Sequence, residues 1–134
     1  MQAREADVGK TTRVLLVEGH ALFRQALSLL LYRHPHVEVM QAGTLAEARR
    51  LLHSADVVAL ESCLPDGTGA ELIGEVREEN SGASVLVLSN GPDSPCSKSA
   101  REAGADAVLS KVESPFTIID EIRGLGSARS RPAR

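Results

Sequence analysis

The sequence predicts an α/β fold in which one parallel β-sheet is covered by helices on both faces. Five short apolar runs alternate with segments of helical periodicity, and the 134 residues suit a single domain. Strands that are apolar on both faces are typical of parallel sheets buried between helix layers. Regular β-α alternation leads to right-handed crossovers, which place helices on both sides of the sheet.

The five predicted strands are short, continuous apolar runs that contain β-branched residues. They lie at residues 14–17, 37–40, 57–60, 85–88 and 107–109. None of them is long enough to be confused with a buried helix.

The predicted helices follow the strands in turn. Residues 21–32 carry a continuous apolar stripe, and Thr44 with Glu47 forms a capping-box pattern that opens a helix running to about His53. Further helices are expected at residues 70–79, at 97–103 and from Ser114, with Pro at the favoured first position of the last one.

The charge distribution separates a domain from its ends. We expect a loose leader at residues 1–12, a folded domain at 13–124 and a basic, flexible tail or linker at 125–134. Residues 1–122 carry 11 basic and 18 acidic side chains, a net charge of -7. All charged side chains after residue 122 are basic. An acidic body with three aromatic residues disfavours direct nucleic-acid binding.

The two cysteines and the apolar runs indicate a cytoplasmic setting. Cys63 and Cys96 are not part of a CxxC motif, and we expect both to be reduced, structural thiols. Cys63 is interpreted as a small residue at the rim of a pocket, with a redox role as the alternative. No signal-peptide pattern or membrane-spanning run occurs, so neither secretion nor membrane insertion is expected.

Polar residues follow the strands at what must become one edge of the sheet. Glu18, Gly19 and His20 follow the first strand, and Glu61 follows the third. Ser89 and Asn90 follow the fourth strand, and Ser110 and Lys111 follow the fifth. In open α/β sheets, ligands and chemistry occur at the carboxyl ends of the strands, so these side chains predict a shared pocket.

Four segments then carry a specific resemblance. RVLLVEGHALFRQAL, VVALESCLPDGTGAELI, VLVLS and GADAVLSKVESP resemble, in order and spacing, bacterial response-regulator receiver domains of the NarL/FixJ type, over about residues 13–125. The resemblance implies a flavodoxin-like, doubly wound (βα)5 sheet with strand order 2-1-3-4-5. It also implies two-component signalling in transcription regulation, since such receivers usually precede a LuxR-type DNA-binding domain.

The resemblance assigns roles to positions that this sequence only partly preserves. Receivers of this type hold Mg²⁺ with two adjacent acids, which here are Glu18 and Gly19, and their phosphoacceptor aspartate falls on Glu61. The hydroxyl and the lysine that contact the phosphoryl group fall on Ser89 and Lys111, which keep their usual chemistry. The aromatic switch residue falls on Val108.

These departures predict lost metal chemistry. Mg²⁺ requires near-octahedral oxygen geometry, so an absent acid at Gly19 and two longer acids should leave its binding weak or absent, with no cofactor in its place. We expect Glu61 to be a poor phosphoacceptor and no residue to be catalytic. Instead, Glu61 is a candidate partner of Lys111, with a hydrogen bond from Ser89; the alternative is a solvent-facing Glu61 in an inert pocket.

The sequence therefore predicts a non-enzymatic, atypical receiver that works as a protein-interaction module without phosphorylation. The expected partner is a second copy or another response regulator, bound through the first and fifth helices or the region of helices four and five. Two alternatives remain: a small-molecule sensor that uses the vacated pocket, and a conventional phosphoacceptor switch. Asp66 is assigned to a turn, and His20 to packing against or capping the first helix.

Overall fold

A five-stranded parallel sheet forms the centre of the computed structural model, which describes residues 11–91 and 93–130. Its strands are β1 (Thr12–Val17), β2 (Val37–Ala42), β3 (Val57–Glu61), β6 (Ser84–Ser89) and β7 (Ala107–Ser110). Two short strands, β4 (Cys63–Leu64) and β5 (Gly67–Thr68), form a separate antiparallel hairpin after β3. The hairpin turns at Pro65 and Asp66, where the sequence predicts a turn.

The strand order confirms the predicted topology. In the main sheet it is β2-β1-β3-β6-β7, which becomes 2-1-3-4-5 when the hairpin is left out of the numbering. The order reverses direction between β1 and β3, so the crevice at their carboxyl ends is the natural place for a site.

Within the described residues, five α-helices cover the sheet. They are α1 (Ala21–Tyr32), α2 (Leu45–Arg49), α3 (Gly69–Glu79), α4 (Pro95–Glu102) and α5 (Pro115–Ser130). The helix expected up to His53 is shorter than predicted, because a separate 3-10 turn at Leu52–Ser54 follows α2.

Each face of the sheet has its own hydrophobic core. In β1, Leu15 and Val17 face the layer of α2 and α3, whereas Val14 and Leu16 face the layer of α1 and α5. All four side chains are fully buried. Consecutive residues on opposite faces explain why the predicted strands are apolar without alternation.

The carboxyl-terminal helix is longer than expected. It continues through Gly124, where we expected the domain to end, as far as Ser130. Leu125 packs against the core beside α1, and Gly126 lies so close to Thr12 that an added Cβ would be 2.8 Å from its methyl group. Leu125 and Gly126 therefore belong to the packed body. The rest of the predicted tail, residues 131–134, and most of the predicted leader, residues 1–10, lie outside the described residues.

The expectation of two reduced thiols is wrong for this structure. Cys63 and Cys96 form a disulfide, with their Cα atoms 5.6 Å apart. They meet because β3 and β6 are neighbours, so the segments that follow them start at the same edge of the sheet. Cysteine spacing of 33 residues along the chain does not reveal this proximity.

None of the described helices is both long enough and apolar enough to cross a bilayer.

Candidate functional site

The candidate site lies where β1, β3 and β7 end. Val17 pairs with Leu60 across β1 and β3, so the next residues, Glu18 and Glu61, lie side by side at the ends of these strands. Lys111 comes directly after β7 and reaches both carboxylates from the other side of β6. The structure thus brings together three of the residues that the sequence assigns to a shared pocket.

Glu18 is the most buried of these groups, with no exposed side-chain surface. Its Oε2 atom accepts a hydrogen bond from the backbone N–H of His20 at 2.9 Å and another from Lys111 Nζ at 2.9 Å. Its Oε1 atom is buried and has no hydrogen-bond partner. A buried carboxylate oxygen without a partner is costly unless the group takes up a proton.

Lys111 provides the positive charge of the site and is only 15% exposed. Its Nζ atom lies 2.9 Å from Glu18 Oε2 and 3.5 Å from Glu61 Oε2. The same ammonium group lies over the ring of Phe23, 4.7 Å from the ring centre, which is within cation–π range. The predicted pairing of Lys111 with Glu61 is therefore present, but Glu18 is the closer partner.

Glu61 points into the site rather than into solvent, with its side chain 12% exposed. Its Oε1 atom accepts a hydrogen bond from the N–H of Gly19 at 3.1 Å, and its Oε2 atom accepts one from Asn90 Nδ2 at 3.3 Å. The alternative of a solvent-facing Glu61 is wrong. Both carboxylate oxygens are already used inside the protein.

The pKa values of the two carboxyl groups are shifted in opposite directions. Burial and the neighbouring Glu61 raise the pKa of Glu18 from 4.5 to about 7, against the effect of Lys111. Burial also acts to raise the pKa of Glu61, but the neighbouring Glu18, the hydrogen bonds from Gly19 and Asn90, and the charge of Lys111 leave that pKa lowered. A proton held by Glu18 and a charge held by Glu61 satisfy both environments.

Ser89 does not contact this ion pair, contrary to expectation. Its hydroxyl is 2.6 Å from the hydroxyl of Ser97 in α4, and it also hydrogen-bonds to the backbone of Gly91. Ser97 in turn donates to Ser62, at 3.3 Å. The Ser89 side chain lies on the α4 side of β6, so it joins the strand end to α4 instead of to Glu61.

Gly19 and Val108 differ in what surrounds them. A Cβ atom added at Gly19 would be 3.1 Å from the Pro65 ring and 3.6 Å from Glu61 Oε1. An acid at this position would therefore need the ring of Pro65 to move. Val108 lies in β7, partly buried against the core of the α2 and α3 layer, so it is packed like a core residue.

Sequence and structure comparisons agree on what this arrangement resembles. The model of the response regulator receiver domain matches residues 14–123. The chain belongs to the response-regulator receiver family. Receiver domains are mostly non-enzymatic signalling modules that interact with other proteins.

Two of the relatives that match this receiver are transcription regulators. It is 33% identical to the DNA-binding transcriptional activator DevR/DosR of Mycobacterium tuberculosis, over 88% of this chain and 52% of that protein. It is 37% identical to the KDP operon transcriptional regulatory protein KdpE of Escherichia coli, over 80% of this chain and 46% of that protein. The chain spans about half the length of these relatives.

A solved structure shows the same architecture. The signal receiver domain of the putative response regulator NarL from Mycobacterium tuberculosis superposes with a TM-score of 0.79 at 26% identity, covering 91% of this chain and 99% of that one. The likeness extends over nearly the whole fold, so the strand-end positions of this receiver are comparable with those of the family.

The residues of this receiver do not fit the divalent cation that the family implies. Among the described residues, no group of three or more His, Cys, Asp or Glu side chains is arranged to hold a metal ion. Glu18 and Glu61 are the two acids of the pocket, and both accept hydrogen bonds from N–H groups of the protein. The ammonium group of Lys111 lies against both acids, where it would repel a second cation.

Sequence reasoning missed three contributors to the site and its surroundings. Phe23 lies under the ammonium group of Lys111, and Asn90 donates a hydrogen bond to Glu61. The sequence indicated only that Phe23 belongs to an apolar helix stripe and that Asn90 follows a strand. Asp66 does lie in a turn, but its carboxylate also accepts the N–H groups of Leu45 and Ala46 at the start of α2, and chiefly the Leu45 bond lowers its pKa. These contacts join residues far apart in sequence, and no local pattern indicates them.

His20 has one of its two expected roles. Its Nδ1 atom accepts the N–H of Phe23 at 3.2 Å, so it caps α1. The same residue's N–H donates to Glu18. His20 thereby links the start of α1 to the buried carboxylate.

Proposed function

We propose that this chain is an atypical receiver that signals by protein contact and does not depend on phosphorylation of Glu61. The observation that carries the proposal is the ammonium group of Lys111, which is shared by Glu18 and Glu61 inside the pocket. It supplies internally the positive charge that the family obtains from a divalent cation. On this proposal, Glu18, Gly19, Glu61 and Lys111 form a preset pocket with no catalytic residue, and Ser89 beside it links β6 to α4.

Glu61 is poorly arranged as a nucleophile. Phosphoryl transfer depends on positioning and on charge neutralisation by a metal ion, and a displacement near 1 Å costs around a hundredfold in rate. The glutamate side chain is one methylene longer than aspartate, and both of its oxygens accept hydrogen bonds from Gly19 and Asn90. Each oxygen keeps a further lone pair, but these bonds fix the direction in which that lone pair points.

Val108 and Ser89 support the same conclusion on the output side. Val108 has no aromatic ring to move between an outward and an inward position, and Ser89 is already bonded to Ser97. A signal therefore has to use a preset surface or the backbone of the segment that follows β6.

A preset surface is available on α1 and α5. Leu22, Leu29 and Tyr32 of α1 are 74%, 70% and 77% exposed, and Phe116 of α5 is 67% exposed. Leu29 and Tyr32 also line a hollow of about 290 Å³. Large apolar side chains grouped on adjacent helices mark protein-contact sites, so we place homodimerisation, or pairing with another response regulator, on this face.

The biological setting follows from the relatives. Because the matched relatives are transcription regulators that are about twice as long, we propose that this receiver controls a DNA-binding output in the cytoplasm. We do not propose that this acidic domain itself binds nucleic acid or a membrane. The small-molecule alternative has less support, because Lys111 already occupies the space between the acids.

Intact-mass measurement after incubation with acetyl phosphate and Mg²⁺ tests the proposal. We expect no phosphoryl adduct on the unchanged chain. A double variant, Gly19→Asp with Glu61→Asp, restores the family's acids and is the positive control for the assay. A stoichiometric adduct on the unchanged chain that disappears in Glu61→Ala would overturn the proposal.

A further inference from the structure

We propose that Cys63 and Cys96 form a reversible redox-modification site that controls how firmly α4 is held against the pocket. This inference goes beyond the proposed function and does not depend on whether Glu61 is phosphorylated. Cys63 begins β4, two residues after Glu61, and Cys96 is the second residue of α4. Their disulfide joins the segment after β3 to the first turn of α4.

The disulfide runs beside a chain of three serine hydroxyls. Ser62 and Ser97, the sequence neighbours of the two cysteines, are fully buried and 3.3 Å apart, and Ser97 is 2.6 Å from Ser89. The covalent bond therefore fixes the same two segments that the hydroxyls join. When the bond is broken, the neutral hydrogen bonds of Ser97 and the packing of Ala100 are left to hold α4 beside Ser89.

Apart from this bond, α4 is held by the packing of Ala100 in the core and by its contact with α3. It spans eight residues, of which Ser97 and Ala100 are buried. The residue before it, Ser94, makes no side-chain capping bond to the helix. Short helices with little buried apolar surface open easily, so a covalent link near their start has a large effect on local stability.

Both cysteines lie where reagents can reach them. Each is partly exposed rather than buried in either core. Disulfides of cytoplasmic proteins are usually transient and redox-sensing, because the thiol pool of that compartment reduces them. A partly exposed bond at the edge of the sheet is accessible to that pool.

The step is a thiol–disulfide exchange with a small-molecule disulfide as the oxidant. One cysteine thiolate attacks a sulfur of the small disulfide, forms a mixed disulfide and releases one small thiolate. The second cysteine thiolate attacks the protein sulfur of this intermediate, which forms the Cys63–Cys96 bond and releases the second small thiolate. The two cysteine protons end on the two released thiols, and the cysteines lose the two electrons that the small disulfide gains.

Redox titration combined with amide exchange tests the inference on the full chain. Glutathione buffers of varied ratio are applied, the thiols are alkylated, and the fractions of dithiol and disulfide are measured by mass spectrometry. We expect reversible conversion within the range of cytoplasmic buffers. On reduction, amides in residues 93–104 should exchange roughly tenfold faster or more, while those of β6 stay unchanged.

Cysteine variants test whether the disulfide itself slows amide exchange in α4. The double variant Cys63→Ser with Cys96→Ser should show fast exchange at residues 93–104 under every buffer. If it does not fold, as judged by circular dichroism, Cys96→Ser alone provides the comparison. A disulfide that survives the most reducing buffers, thiols that never oxidise, or equal exchange in both forms would each overturn the inference. None of these results bears on phosphorylation of Glu61.

Discussion

Lys111 Nζ lies 2.9 Å from Glu18 Oε2, between a carboxylate with no exposed surface and the face of the Phe23 ring. Buried ion pairs contribute little net stability, because desolvation offsets most of the attraction. Removing one partner is a different matter, since the other charge is then buried without compensation. The pair therefore makes the stability of this receiver sensitive both to Lys111 and to the protonation of Glu18.

Substitution of Lys111 should destabilise the protein more at pH 8 than at pH 6. In Lys111→Met, Glu18 can hold a proton at pH 6, so only the charge of Glu61 loses its partner and the loss of stability should be smaller than at pH 8. At pH 8, Glu18 must either carry an uncompensated charge or take up a proton at a free-energy cost. We therefore expect a loss of roughly 2 to 4 kcal/mol in the free energy of unfolding at pH 8. Urea denaturation at both pH values measures the difference.

The matched control for this substitution is Lys98→Met. Lys98 is an exposed lysine of α4. Its replacement should change stability little and equally at both pH values. An equal loss at pH 6 and pH 8 in Lys111→Met would contradict the proposed link to Glu18.

The raised pKa of Glu18 predicts that the protein becomes less stable as the pH rises from 5 to 8. The pKa of Glu18 is about 7 in the folded state and 4.5 without these surroundings, so the folded state binds the proton more tightly. The stabilisation is complete below pH 4.5 and is lost as the pH passes through about 7. We expect a decline of roughly 1 to 3 kcal/mol, measured by urea denaturation across this range.

Glu18→Gln removes this titration while keeping the shape of the protonated side chain. Its stability should be nearly independent of pH between 5 and 8. Glu79→Gln, at an exposed position of α3, should keep the decline of the unchanged protein. Glu61 does not contribute to this decline, because its lowered pKa means that it titrates below pH 5. If the decline persists in Glu18→Gln, another group is responsible.

The sequence was sufficient for the fold because strand identity depends on local pattern. The run of residues 57–60 is apolar at every position, and the structure buries all four side chains completely. The helix of residues 21–32 was predicted with its observed bounds for the same reason. The end of α5 was not predicted, since Gly124 and Gly126 weaken the helical pattern and only packing against Thr12 and the core compensates for it.

The sequence predicted which residues come together at the site, but it did not predict which side-chain atoms contact each other. Strand-end positions brought Glu18, Glu61 and Lys111 together, because parallel strands end at one edge. Side-chain direction separated Ser89 from them, and no sequence pattern determines which side of β6 its hydroxyl occupies. The disulfide was missed because pairing depends on the distance between segments 33 residues apart.

Self-association through α1 and α5 should depend on their exposed apolar residues. Leu29→Glu places a charge on the 70% exposed leucine of α1 and should shift the protein from dimer to monomer in light scattering after gel filtration. Val112→Glu is the control, since Val112 is 92% exposed but lies in the loop before α5. The dimer should also persist in EDTA, because the proposed surface requires no metal. A dimer that survives Leu29→Glu places the contact elsewhere.

Reduction of the disulfide should lower the global stability of the receiver as well as the local stability of α4. A crosslink that closes a loop of this length, with 33 residues between its ends, restricts the unfolded chain and adds about 3 to 4 kcal/mol in the chain-entropy description. Guanidinium denaturation with and without dithiothreitol measures the difference. Cys63→Ala with Cys96→Ala should match the reduced protein and should not respond to dithiothreitol. Since the crosslink acts on the unfolded state, a loss of similar size at pH 6 and pH 8 would separate it from the ion pair of Glu18 and Lys111.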